Sequence, residues 1–169
     1  MRARGSHRDD KESGGRPQPS AKALAVRWLA RRDLSRSELT QRLQRRGIEE
    51  PEIERALDEL AALGYLSDAR YASAVVAQRK GRYGKRAIVH ALAARGIAGD
   101  DATNALSQLA GNDEVADALA LWQRRFGEAP RDERDKARQV RFLQARGYSL
   151  SVALSVMRKT GAAVADDAL

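Results

Sequence analysis

The chain contains no cysteine. That excludes disulfides, thiolate catalysis and every cysteine-based metal centre, and it fits a reducing compartment. Its two histidines, His7 and His90, lie far apart in sequence, so neither a metal cluster nor a general base with a partner is suggested, and no cofactor is expected. No run approaches the roughly 18 apolar residues of a membrane span. The segment 1–20 lacks the apolar centre of a signal peptide. A cytoplasmic protein with no membrane partner is the expectation. Aromatic residues make up only 5% of the chain. Leu and Ala therefore supply most of the apolar surface, and both favour helices. Gly, Pro, Ser and charge fill 1–20, which reads as a disordered tail, and 160–169 reads the same way.

Acidic residues are also in deficit, 23 against 31 basic ones, for a net charge of +8. Most of the basic residues are Arg, whose planar fork of donors grips phosphates and carboxylates in pairs. Such a balance points to an anionic partner: nucleic acid, an acidic protein surface or a membrane. The plainer alternative is a basic soluble protein with no such partner.

Between the tails every apolar pattern has the helical period. Ser35 and Glu38 form a capping box, and Leu34 is placed to staple onto Leu39. Leu39 and Leu43 share one face, and Gly47 supplies a left-handed stop. Pro51 opens the next helix, with Ile53, Ala56, Leu57, Leu60 and Leu63 on its inner stripe. The same arrangement returns twice. Leu43-Gln44-Arg45-Arg46-Gly47-Ile48 matches Leu92-Ala93-Ala94-Arg95-Gly96-Ile97 and Leu143-Gln144-Ala145-Arg146-Gly147-Tyr148. A helix precedes each landmark-bearing helix, at 21–32, 68–80 and 113–126, and another follows it, at 50–63, 100–110 and 149–158. The expected fold is all-α: three tandem three-helix repeats, 21–66, 67–111 and 112–159, forming an extended, curved array. Residues 128–135 read as a charged loop inserted in the third repeat.

The segment Gly64-Tyr65-Leu66-Ser67-Asp68-Ala69-Arg70-Tyr71-Ala72, followed by Arg79, Gly84, Ile88, Leu92 and Arg95-Gly96-Ile97, resembles the RecX family. Ser35-Arg36-Ser37-Glu38-Leu39 with Leu43 and Gly47 is similar to the opening of that family. The resemblance covers about residues 21–159. Ser67 departs from it, standing where the family more often has Asp or Asn, yet serine also caps helices. The resemblance implies a regulatory protein, not an enzyme, that lies in the helical groove of the RecA filament. There it inhibits strand exchange and ATPase activity, modulating recombination, DNA repair and the SOS response. It implies a monomer, with single- or double-stranded DNA as a second ligand left open.

Three basic groups are candidates for the partner-binding surface. Residues 69–97 contain no Asp or Glu but carry Arg70, Arg79, Lys80, Arg82, Lys85, Arg86 and Arg95, with Tyr83 among them. Segregated like charge marks a docking surface for anions. The alternatives are a solvated face, or one neutralised by the acidic helix from Glu49 to Glu54. Arg42, Arg45 and Arg46 form a second group, also explained by the dipole at a helix C-terminus. Arg124 and Arg125 are the third, beside Trp122, whose spacing from Val115, Leu119 and Phe126 places it in a core stripe.

Sharper motifs fail. Gly84-Lys85 lacks the upstream Gly and the following Ser or Thr of a P-loop. Gly81-Arg82-Tyr83-Gly84 has the GXXG form of a KH clamp, but no strands accompany it, so it reads as a turn. A competing function remains on these residues alone: a direct DNA-binding protein, because the helix after Ser35 and its successor look like a helix-turn-helix.

Overall fold

The computed structural model describes the backbone of residues 19–166 and the side chains of residues 19–161. The expected tail at 1–20 lies almost wholly outside them. Among the described residues there are nine helices and no strand: α1 (Ala21–Leu29), α2 (Arg36–Gln44), α3 (Glu50–Ala62), α4 (Asp68–Arg79), α5 (Lys85–Ala93), α6 (Gly99–Ser107), α7 (Glu114–Arg125), α8 (Glu133–Ala145) and α9 (Leu150–Asp166). Helix packing stays within α1–α3, α4–α6 and α7–α9. Each trio closes its own core. The first contains Leu34, Leu39, Leu43, Ile53, Leu57 and Leu60. The second contains Tyr71, Val76, Ile88, Leu92 and Ile97, and the third Trp122, Leu143, Tyr148 and Val156. The chain is therefore an array of three three-helix units.

Local chemistry sets the helix limits. Ser35 caps α2 in a capping box with Glu38, and Ser67 caps α4 by accepting from the Arg70 amide. Gly47, Gly96 and Gly147 all have positive φ, the left-handed conformation that ends a helix without a Cβ penalty. Trp122 is core, as its stripe implies, and its Nε1 donates 2.7 Å to the buried Gln139 Oε1. That bond satisfies both polar groups away from water.

Helix ends shift from the sequence reading, α1 stopping at Leu29 and α6 at Ser107, three residues early each, and two differences matter more. Glu133, Arg134 and Asp135 are helical, not loop. Asp132 accepts from the Asp135 amide at 2.7 Å, and acids in a first turn are favoured by the helix dipole. At the other end α9 continues to Asp166, well beyond residue 160. Ala162, Ala163 and Ala165 are strong helix formers, and Gly161 alone does not end the helix.

Candidate functional site

Adjacent units meet through a small joint that is built twice in the same way. The Arg-Gly landmark ending one unit's second helix lies against the N-terminus of the preceding unit's second helix. At the first joint Ser35 Oγ donates to the Arg95 carbonyl at 2.7 Å. At the second the Gly84 amide donates to the Arg146 carbonyl at 2.9 Å. The approach is close enough to forbid side chains. A Cβ on Gly96 would collide with Ser37, one on Gly147 with Ala87, and one on Gly84 with the Gly147 carbonyl. An acid completes each joint: Asp68 accepts from the Arg36 amide at 2.8 Å, and Glu114 accepts from the Lys85 amide at 3.0 Å. Both acids are the first residues of their helices and cover a helix N-terminus of the unit before.

These joints absorb two of the basic residues singled out by sequence. Arg95 is half-buried, donating to Tyr71 Oη at 3.0 Å and to the Ala91 carbonyl at 2.8 Å. Burial and Glu38 hold the Tyr71 phenol above its ordinary pKa, with Arg95 opposing them. Arg70 donates to the carbonyls of Gly64 and Tyr65 and lies 3.7 Å from Asp33. It closes the end of α3 against the next unit. Arg124 reaches the Gly81 carbonyl across the second joint at 3.4 Å, whereas Arg125 stacks on the neighbouring Phe126 ring.

The remaining middle residues divide between two sides of the second joint. On one side Arg79, Arg86 and His90 line an open cleft of about 550 Å³, closed from the third unit by Gln144, Gly147 and Tyr148. Arg86 and His90 lie one helical turn apart on α5 and share a face. Neither Arg79 nor Arg86 meets a carboxylate within ion-pair distance among the described residues. On the other side Lys80, Tyr83 and Lys85 share a small cavity with Glu114 and Asp117. The middle segment is thus acid-free in sequence but not in space, since the third unit supplies those carboxylates. Tyr83 lies between two guanidiniums, Arg79 at 4.9 Å and Arg146 at 5.5 Å from its ring centre. Its face is spent on holding Arg79 at the cleft edge. Arg82 is exposed beside this joint.

The acidic helix α3 does not neutralise the cleft. Glu54 and Asp58 pair with Arg36, Glu59 pairs with Lys22, and Glu52 accepts from the Ala21 amide. Burial works against the Arg36 charge, but its two carboxylates outweigh that and hold its pKa above the ordinary value. The acids of α3 serve the first unit alone.

Sequence reasoning passed over His90 and Tyr148 as parts of the site. The four-residue spacing of Arg86 and His90 was a usable signal for the first. Tyr148 gave none, because the cleft's second wall comes from a different unit. Its side chain is buried, and its hydroxyl has no hydrogen-bond partner among the described residues. Burial, with Asp117 and Glu114, pushes its pKa up to about 12. Among the described residues no cluster of metal-ligating side chains occurs, and no helix is long and apolar enough to cross a membrane.

Three family profiles match in order along the chain: the first three-helix domain of RecX over residues 21–60, the second over 67–106 and the third over 112–157. The Leptothrix cholodnii protein named regulatory protein RecX is 43% identical over 146 residues, covering 86% of this chain and 92% of its own. Its namesake from Herminiimonas arsenicoxydans is 40% identical over 141 residues, with 83% and 93% covered. A crystal structure of RecX from Lactobacillus salivarius superimposes with a TM-score of 0.71, covering 83% of this chain and 94% of that one. At 19% identity that likeness speaks to the fold.

Proposed function

The chain belongs to the RecX family, and on that premise we propose that it is a non-catalytic regulator of RecA recombinase filaments. It binds along the helical groove, restrains strand exchange and ATP turnover, and so modulates recombination and repair inside the cell. The observation that carries this reading is the basic cleft of Arg79, Arg86 and His90, set across a joint between serial units. Unpaired guanidiniums suit carboxylates on a protein surface as well as phosphates. Three units in series give one monomer the reach to touch more than one filament protomer, and linked contacts raise avidity when the geometry fits.

Direct reading of bare DNA is less well supported. In a helix-turn-helix the N-terminal residues of the second helix enter the major groove. Here α3 presents Glu50 and Glu52, and α6 presents Asp100 and Asp101, in that first turn. Carboxylates there are repelled by phosphates.

The test is cosedimentation with RecA assembled on single-stranded DNA, compared with bare DNA over a salt series. Binding through phosphates alone falls steeply with salt by counterion release. Binding to the coated filament is expected to persist near physiological salt after bare-DNA binding has weakened severely. The double variant Arg79→Glu/Arg86→Glu is expected to lose filament binding and ATPase inhibition at unchanged helix content. A wild-type salt dependence identical to that for bare DNA would replace this reading with DNA sequestration.

A further inference from the structure

The joint motif occurs three times in the chain but is used only twice within it. Arg95-Gly96 docks on the first unit and Arg146-Gly147 on the second. Arg46-Gly47, the corresponding end of α2, docks on nothing among the described residues. Both residues are exposed, and Gly47 has positive φ like its counterparts. A Cβ placed on it would meet open space. The Arg46 carbonyl accepts no hydrogen bond among the described residues, whereas the carbonyls of Arg95 and Arg146 each accept one across a joint.

The opposite end of the array is built differently. In the first two units the cap residue stands twelve positions before the landmark glycine, at Ser35 and Gly84. In the third, the cap of α8 stands a turn earlier, at Asp132. The residue at the expected socket, Asp135, already accepts from the Arg131 amide, Arg138 and Gln139. Burial alone would raise its pKa, yet the Arg131 amide and Arg138 hold it below the ordinary value. The third unit therefore does not repeat the socket that the first two units offer to an Arg-Gly end.

We infer that Arg46-Gly47 is a docking end for a helix N-terminus on the partner's protein surface, joined as the units are joined to one another. The two internal joints define the chemistry. The partner helix has a hydroxyl or an amide at its cap to donate to the Arg46 carbonyl, and a small residue where Gly47 seats. It also carries an acid in its first turn. Inside the chain Asp68 and Glu114 bring that acid from the docking unit, but the corresponding first residue of α1 is Ala21. Arg45 and Arg46 are exposed at the open end instead, with Arg42 in the last turn of α2, so the negative charge comes from the partner. This inference rests on the filament reading and adds a second contact, remote from the cleft in the second unit.

The discriminating variant is Gly47→Asn. Asparagine tolerates the left-handed conformation, and open space surrounds the site in the free chain. A side chain there obstructs docking only if the end is used as its counterparts are. Gly111→Asn is the control, since Gly111 also has positive φ and open surroundings and lies outside the joints. The measurement is binding of the full chain to RecA assembled on single-stranded DNA at physiological salt, with helix content and melting temperature recorded for each variant. Gly47→Asn is expected to weaken binding at least tenfold while Gly111→Asn stays within twofold of wild type, both melting alike. If wild type binds and Gly47→Asn binds equally, the docking end is refuted and the filament reading survives. If wild type does not bind, the filament reading fails and the docking end falls with it.

Discussion

At the scale of single residues, Tyr148 carries the clearest electrostatic signature. Its phenol is buried, without a hydrogen-bond partner among the described residues, and held at a pKa of about 12, against about 10 in an unfolded chain. Between those values the unfolded state sheds the proton and the folded state keeps it. Folding stability is therefore intact below about pH 10 and declines from there towards pH 12. Urea unfolding at pH 9 and pH 11 is expected to show this loss in wild type and a smaller one in Tyr148→Phe. Near pH 7 the Phe variant is expected to be as stable as wild type or slightly more so, because it removes a buried hydroxyl that makes no hydrogen bond. Equal alkaline losses in both proteins would remove Tyr148 from the account. The sequence disclosed this residue as the apolar position after the third landmark glycine. Its electrostatic setting was hidden, because Asp117 and Glu114 reach it from another helix.

Among the helices, what was legible followed from local rules. The Ser35–Glu38 box, the Leu39 and Leu43 face and the Trp122 stripe involve neighbours within a turn or two, and each is found where periodicity puts it. The roles of Arg70 and Arg95 were not legible as clamps. Nothing within a few residues of either indicates that its donors end on carbonyls and a phenol. The landmark glycines were legible as helix stops, but their second task needs a neighbour from another unit. Gly84 isolates that task, because its φ is ordinary at −71° and it is the Gly147–Tyr148 peptide group that forbids a Cβ. Gly84→Ala is expected to loosen the second joint at a cost of about 1–3 kcal/mol, the usual range for overpacking. Hydrogen exchange reads it directly. Protection of the Lys85 amide, which donates to Glu114, is expected to fall, while amides in the middle of α2 and α8 keep theirs. Unchanged protection at Lys85 would mean that the joint accommodates the methyl.

For the molecule as a whole, the decisive property is that, among the described residues, helices pack mainly within units and the units meet at the joints. A compact chain of about 149 residues has a radius of gyration near 15 Å. A preparation lacking residues 1–20 is expected to scatter X-rays with a clearly larger value, and a result at the compact value would contradict the array. The three separate cores also govern how the protein is made and lost. Each closes over a short stretch of chain, so its contacts are local in sequence, the condition for rapid folding. On the ribosome the first unit has all it needs before the third is translated. Damage follows the same partition. A cavity cut into one core is expected to melt that unit first, its neighbours losing what the shared joints gave them, where a protein with a single core would collapse entirely.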